Sequence, residues 1–169
     1  MSPHAKPIVI NGRFVYVTNT PADTVDVINS QTNQIVVRIN VGIDPVGLAV
    51  RPGGREVWVA NHVSDTISVI DTDPESPTLH HVIATIQAIS SPGFATDFDE
   101  PVGIAFASFS KAYIALGPDN EIAVVNAETY TVTGRLPIRA QDPRAITVQG
   151  DRLYVIPFES NNRTQLSGC

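Results

Sequence analysis

The chain has 169 residues, 43% hydrophobic and 17% charged, which suits one domain with a sizeable core and excludes a disordered segment. Eleven Lys and Arg against seventeen Asp and Glu leave a net charge of −6, with the basic residues scattered, which argues against binding a nucleic-acid backbone. No apolar run nears the roughly 20 residues that span a bilayer, the start MSPHAKPIVI lacks a signal-peptide pattern, and the lone Cys169 excludes an internal disulfide or a Cys-based metal site.

The elements that the residues predict are all strands. Ile8–Ile10 is a short first strand, and Asn11-Gly12 after it suits a tight hairpin. Val15–Asn19 (VYVTN) is a second strand, Thr24–Asn29 (TVDVIN) a third and Ile35–Ile39 (IVVRI) a fourth. The series then begins again with Asp44–Val50 (DPVGLAV), Val57–Asn61 (VWVAN) and Thr66–Asp71 (TISVID), and Pro52-Gly53-Gly54 makes the first joint. Two stretches, TDPESPTLHH and AISSPGFATDFDE, interrupt the round. Glu100–Phe106 (EPVGIAF), AYIAL around Tyr113, Glu121–Asn126 (EIAVVN) and Val132–Leu136 (VTGRL) follow. Asp142–Val148 (DPRAITV), the turn Gly150-Asp151 and LYVIP around Tyr154 come last. No stretch carries a 3.6-residue period, so almost no helix is expected.

These strands repeat. Tyr16, Trp58, Tyr113 and Tyr154 fall in one column at spacings of 42, 55 and 41 residues, the long one holding the inserted stretches. Each of TVDVIN, TISVID and EIAVVN starts eight residues after its aromatic. Four strands per period of about 42 residues is the pattern of a propeller blade. The fold class is all-β: propeller blades of four antiparallel strands, A to D, about three and a half in number, making a partial or half propeller. The single domain 1–169 divides into blade 1 at about 8–41, blade 2 at about 46–87, blade 3 at about 102–138 and an incomplete blade 4 at about 144–169. Gly47, Gly103 and Ala145 share one place on the first strand, where small residues let backbones approach. Asn29 and Asn126 close the third strand, where an Asx side chain bonds the following backbone.

The repeats resemble the YVTN-type β-propeller family. VYVTN, Thr24–Gly42 (TVDVINSQTNQIVVRINVG), Asp44–Asn61 (DPVGLAVRPGGREVWVAN) and Thr66–Asp73 (TISVIDTD) carry the likeness, which covers most of residues 7–156 and departs at AYIALGPDN. The resemblance implies a secreted, cell-surface or periplasmic protein, often a seven-bladed ring, acting as a surface-layer component, a binding module or a domain fused to an enzyme. It carries over no catalytic residue. The chain stops inside a repeat, so three readings stay open: a fragment of a longer propeller, which is the one favoured, a half ring completed by a second chain, and a closed four-bladed ring. The expected partners are another protein, the remaining blades, or a homodimer formed through exposed blade faces.

Strand order puts the B–C and D–A loops on one face, which is the candidate site. Asn19, Asn61 and His62 belong to its B–C loops. Asp44, Glu100 and Asp142 each precede a proline, read either as a carboxylate ring at the channel mouth or as repeated turn chemistry, and Arg144 follows the last. Asp97, Asp99 and Glu100 in TDFDE suit Ca²⁺ by ligand type but without EF-hand spacing, so a solvated acidic loop is the reading and no metal is assigned. Phe94 and Phe98 pin that insertion to the body or offer a contact surface. His80-His81, read as strand neighbours on opposite faces, cannot chelate together. Asn162-Arg163-Thr164 fits a glycosylation acceptor. No catalytic motif is present and no cofactor is expected. The primary reading is a non-enzymatic scaffold or binding module. The alternative is the propeller part of a quinoprotein, copper or cytochrome-linked oxidoreductase, or of a lactonase-like enzyme. A Ca²⁺-stabilised adhesin is a third.

Overall fold

Short runs rich in Val, Ile, Tyr and Thr satisfy their backbone groups by pairing, and here each run pairs with its successor. The structure, a computed structural model, describes residues 4–88, 98–139 and 141–159. Strands β1 (Ile8–Asn11), β2 (Phe14–Asn19), β3 (Thr24–Asn29) and β4 (Gln34–Asn40) form the first sheet, in sequence order and antiparallel. β5 (Pro45–Val50), β6 (Glu56–Asn61), β7 (Thr66–Asp71) and β8 (Val82–Ile86) form the second. β9 (Pro101–Phe106), β10 (Lys111–Leu116), β11 (Glu121–Asn126) and β12 (Thr131–Pro137) form the third. β13 (Gln141–Gln149) and β14 (Arg152–Glu159) make a two-stranded fourth sheet. The helical element among the described residues is one 3₁₀ turn, Thr20–Ala22.

Four-stranded antiparallel sheets in series are blades of a β-propeller. Two details depart from the sequence reading. β14 runs on through Phe158 and Glu159, past the LYVIP run that the sequence marks as its end. His80 and His81 stand in the turn before β8, not on a strand. Residues 160–169, with Asn162 and Cys169, lie outside the described residues.

A sheet buries a face here only where another sheet lies on it. The trailing face of blade 1 (Val9, Tyr16, Val25, Val27, Ile39) packs on the leading face of blade 2 (Leu48, Val57, Val59, Ile70). The trailing face of blade 2 (Ala49, Trp58, Ala60, Ile67, Val69) packs on Ile104, Ala112, Ile114, Ala123 and Val125 of blade 3. The aromatic of strand B lies at the centre of each junction. The Trp58 ring sits 4.9 Å from Phe106 and 6.1 Å from Tyr130. The Trp58 Nε1–H donates to Glu56 Oε2 at 2.8 Å, and the Tyr130 hydroxyl donates to Glu56 Oε1 at 3.0 Å. Aromatic pairs of this kind add about 0.5–1.5 kcal/mol beyond area burial. At the first junction His80 takes the part of Tyr130. Its ring stands edge-on to Phe14 at 4.9 Å, and its Nδ1 lies 3.3 Å from the Tyr16 hydroxyl. Burial pushes the His80 imidazole below its ordinary range, and burial followed by the charge of Asp71 pushes the Tyr16 hydroxyl up.

Turn residues fix the register. Gly12, Gly53, Gly54 and Gly150 take positive φ between strands A and B, as the Gly-rich joints predicted. Asn29 Oδ1 accepts from the N–H groups of Gln31 and Thr32, and Asn126 Oδ1 from those of Glu128 and Thr129. Innermost strands of neighbouring blades come close enough that glycine is required. A Cβ on Gly47 would collide with the Val102 carbonyl oxygen, and one on Gly103 with that of Arg144. Gly103→Ala is therefore expected to cost about 1–3 kcal/mol through forced backbone displacement. Gly134→Ala, in β12 where a Cβ meets nothing within 4 Å, is expected to be neutral or slightly stabilising. Urea denaturation midpoints of the two variants check this.

Candidate functional site

The loop face is built from one device repeated at each junction. Strand B ends in a short turn whose last residue, Asp23, Asp65 or Asn120, adopts left-handed backbone with φ of 55°, 53° or 54°. An Asx side chain tolerates that conformation and folds back on nearby backbone. In the next blade the residue before the proline, Asp44, Glu100 or Asp142, is also left-handed, at φ 60°, 43° and 53°. The two are joined side chain to backbone. Asp44 N–H donates to Asp23 Oδ1 at 2.9 Å, Glu100 N–H to Asp65 Oδ1 at 2.9 Å and Asp142 N–H to Asn120 Oδ1 at 2.8 Å. Three clasps of one geometry link blades 1 to 2, 2 to 3 and 3 to 4. The Asp44, Glu100 and Asp142 column is thus occupied with turn chemistry.

Within that frame the candidate residues separate. Asn19 precedes the 3₁₀ turn without capping it by its side chain. Its counterpart Asn61 is fully buried, and its Nδ2 donates to Thr66 Oγ1 at 3.1 Å and to Ser68 Oγ at 2.9 Å. His62 follows, its N–H donating to the Asp44 carbonyl at 2.9 Å and its Nε2 lying 3.5 Å from Glu100 Oε2. Arg144 binds the Asp142 carboxylate through Nε at 3.0 Å and Nη2 at 2.7 Å, and its guanidinium stacks 3.7 Å over the Phe158 ring. Asp99 is half-buried. Asp97 and Phe94 lie outside the described residues, whereas Phe98 is buried in the core between blades 2 and 3 and anchors the insertion there. Among the described residues no group of three or more His, Cys, Asp or Glu is arranged to hold a metal ion.

The structure brings together Asp44, Asn61 and His62, which adjoin through the pairing of β5 and β6. Each carries a buried polar atom without a hydrogen-bond partner: Asp44 Oδ2, Asn61 Oδ1 and His62 Nδ1. Leaving such atoms unpaired is costly, so their occurrence on neighbouring residues singles out this end of blade 2 as the candidate site. Sequence reasoning missed the clasp donors and acceptors as pairs. The signal was available in the column Asp23-Thr24, Asp65-Thr66, Asn120-Glu121, each Asx standing immediately before strand C. A further concavity lies elsewhere. About 790 Å³ opens at the opposite end of the A strands, against Lys6, Ile10, Arg51, Gly53, Phe106 and Thr147.

The fold and the repeated clasps define a β-propeller. A family model described as "Lactonase, 7-bladed beta-propeller" matches residues 5–94, more than half of the chain, and the chain belongs to that family. No curated protein sequence matches it. Among solved structures, hydrazine synthase of Kuenenia stuttgartiensis superposes with a TM-score of 0.73 at 22% identity, over 92% of this chain and 41% of that one. The Cps50 (Swd1) β-propeller domain of Myceliophteria thermophila gives 0.72 at 15% identity, over 91% and 48%. The structure of U3-55K gives 0.67 at 11%, over 89% and 44%. These likenesses concern the fold, and the chain spans less than half the length of each.

Asp65→Ala removes one clasp and leaves the Glu100 N–H without its acceptor. The expected loss is about 0.5–1.5 kcal/mol, the net contribution of one hydrogen bond at an exposed site. Asp65→Asn, which keeps the accepting oxygen, is expected to lose less than half as much, as chemical denaturation of the three proteins would show.

Proposed function

We propose that this chain is a binding and scaffold portion of a seven-bladed propeller, working without chemistry of its own, and that it engages its ligand or protein partner on the loop face at Asp44, Asn61 and His62. The observation that carries this reading is the set of three unpartnered buried polar atoms on those adjoining residues. Asp44 Oδ2 and Asn61 Oδ1 only accept, so the matching ligand group is a hydrogen-bond donor, such as a hydroxyl or an amine. The blades that extend the arc to seven are the first partner in this reading. The likeness of the repeats to YVTN-type blades favours a cell-surface, extracellular or periplasmic setting.

Family membership supports a second reading, in which the completed ring hydrolyses a lactone. The His62 and Glu100 pair is then the candidate proton-handling group, since an imidazole beside a carboxylate suits general base work.

One experiment separates the two. Amide NMR with a hydroxylated δ-lactone and its ring-opened acid reports both binding and turnover. The binding reading expects shifts confined to residues near 44, 61 and 62, abolished by Asp44→Ala, with the lactone intact. Enzyme-dependent ring opening that is lost in His62→Ala supports the second reading instead. Shifts centred on Arg51 and Gly53, at the opposite end of the A strands, contradict both.

A further inference from the structure

Three carboxylates are buried among the described residues, and two of them are satisfied. Glu56 pairs with Arg51 and accepts from Trp58 and Tyr130. Asp71 accepts from the hydroxyls of Ser76 and Thr78 and from the Asp73 N–H. Asp44, inside the arc between blades 1 and 3, differs. Its carboxylate has neither a hydrogen bond nor an ion pair among the described residues, and its Oδ2 is shut off from solvent. A carboxylate in that state lacks both water and a protein partner, which is costly unless a donor or cation arrives from outside.

The repeat shows which kind of group is missing. Glu100 and Asp142 hold the place of Asp44 in the next two blades, and each meets a nitrogen group of this chain. His62 Nε2 lies 3.5 Å from Glu100 Oε2, and Arg144 donates to Asp142 Oδ2 at 3.0 and 2.7 Å. Their side chains are 48% and 32% exposed, whereas Asp44 is 9% exposed. The column thus has a partner where water could serve and none where water is excluded. Neither partner position is filled for Asp44. Val46 stands where Arg144 stands, and Thr20 stands where His62 stands, its hydroxyl donating to the Pro45 carbonyl at 2.8 Å. Asp23 adds a second carboxylate, accepting from the Asp44 N–H at 2.9 Å and without an ion pair among the described residues.

We propose that Asp44 is the anchor for a primary ammonium group, the head of an alkylamine or of a lysine side chain. The proposal rests on the loop-face binding reading and narrows its donor to a cation. A buried oxygen is reached by a head of one heavy atom, and an ammonium carries three N–H donors on one nitrogen. Asn61 Oδ1, the unpartnered acceptor on the residue paired with Pro45, takes a second of these donors. A guanidinium is a broad plane that suits open, bidentate sites such as the one Arg144 makes. Ca²⁺ takes roughly six to eight oxygens, and among the described residues no group of three or more metal-ligating side chains is present. Ile43 and Val63, next to Asp44 and His62 in the chain, are exposed and linked by a backbone hydrogen bond of 3.3 Å. They offer an apolar flank to the alkyl stem.

Amide NMR titrations with n-butylammonium chloride, 1-butanol, N-acetyl-lysine amide and calcium chloride test it. Butylammonium is expected to shift residues near 44 and 61, and 1-butanol to bind at least tenfold more weakly. Asp44→Asn is expected to weaken ammonium binding at least tenfold without lowering the urea midpoint, because the carboxylate loses no partner. Asp151→Asn, which removes an exposed charge at the opposite end of the A strands, leaves binding unchanged. Both possible sources support the site: N-acetyl-lysine amide binding at least threefold tighter than butylammonium assigns it to a lysine side chain, and equal binding to a free alkylamine. Butanol binding as well as butylammonium, with Asp44→Asn without effect, overturns the cation and leaves the loop-face donor site standing. Calcium shifting these residues while butylammonium does not also overturns it. A hydroxylated lactone that shifts residues near 44 and 61 while butylammonium is silent to about 50 mM overturns the ammonium site alone. Silence from both overturns the loop-face reading as well.

Discussion

An antiparallel sheet of six-residue strands has two apolar faces and can bury neither by itself. The covering of one blade's trailing face by the next blade's leading face is what the rest of this structure depends on. It explains why strand B carries a large aromatic and strand A a small residue. The aromatic supplies contact area where the sheets are apart, at Tyr16 and Trp58. Glycine permits contact where the innermost backbones converge, at Gly47 and Gly103. The clasps at Asp23, Asp65 and Asn120 follow from the same requirement, since they hold one blade's loop against the start of the next.

Much of this was legible in the sequence because the constraint is periodic. A face that must meet a copy of itself forces the same residue types to the same places, so VYVTN and VWVAN fall in register and the strand order follows. β8 was the least legible strand. The ten residues TDPESPTLHH push Val82–Ile86 out of the period, so no column reveals it, and His80-His81 reads as strand although it forms the turn. The insertion is not idle: it carries His80 onto Phe14 and Tyr16. Its contact depends on blade 1, far away in sequence, and no local pattern encodes that.

The candidate site was legible as a face but not as a set of atoms. Strand order alone assigns the loops to one side. Whether Asp44 is a ligand or a turn residue depends on backbone φ and on which N–H it presents, and composition carries neither. The answer is divided: the backbone of Asp44 belongs to the clasp, while its Oδ2 is left unpaired beside Asn61 Oδ1. Asn19 and Asn61 make the same point. They occupy one repeat position, yet only Asn61 is buried, because among the described residues only its blade is covered on the leading side.

If neighbour coverage governs stability, protection must follow the stacking and not the strand. Native-state hydrogen exchange, resolved by residue, measures this directly. The account predicts slowest exchange in β6 and β7 of blade 2, covered on both faces, with β10 and β11 next and with β1, β2 and β14 fastest among the strands. Uniform protection across all four sheets, or greatest protection at β2 or β14, would contradict it.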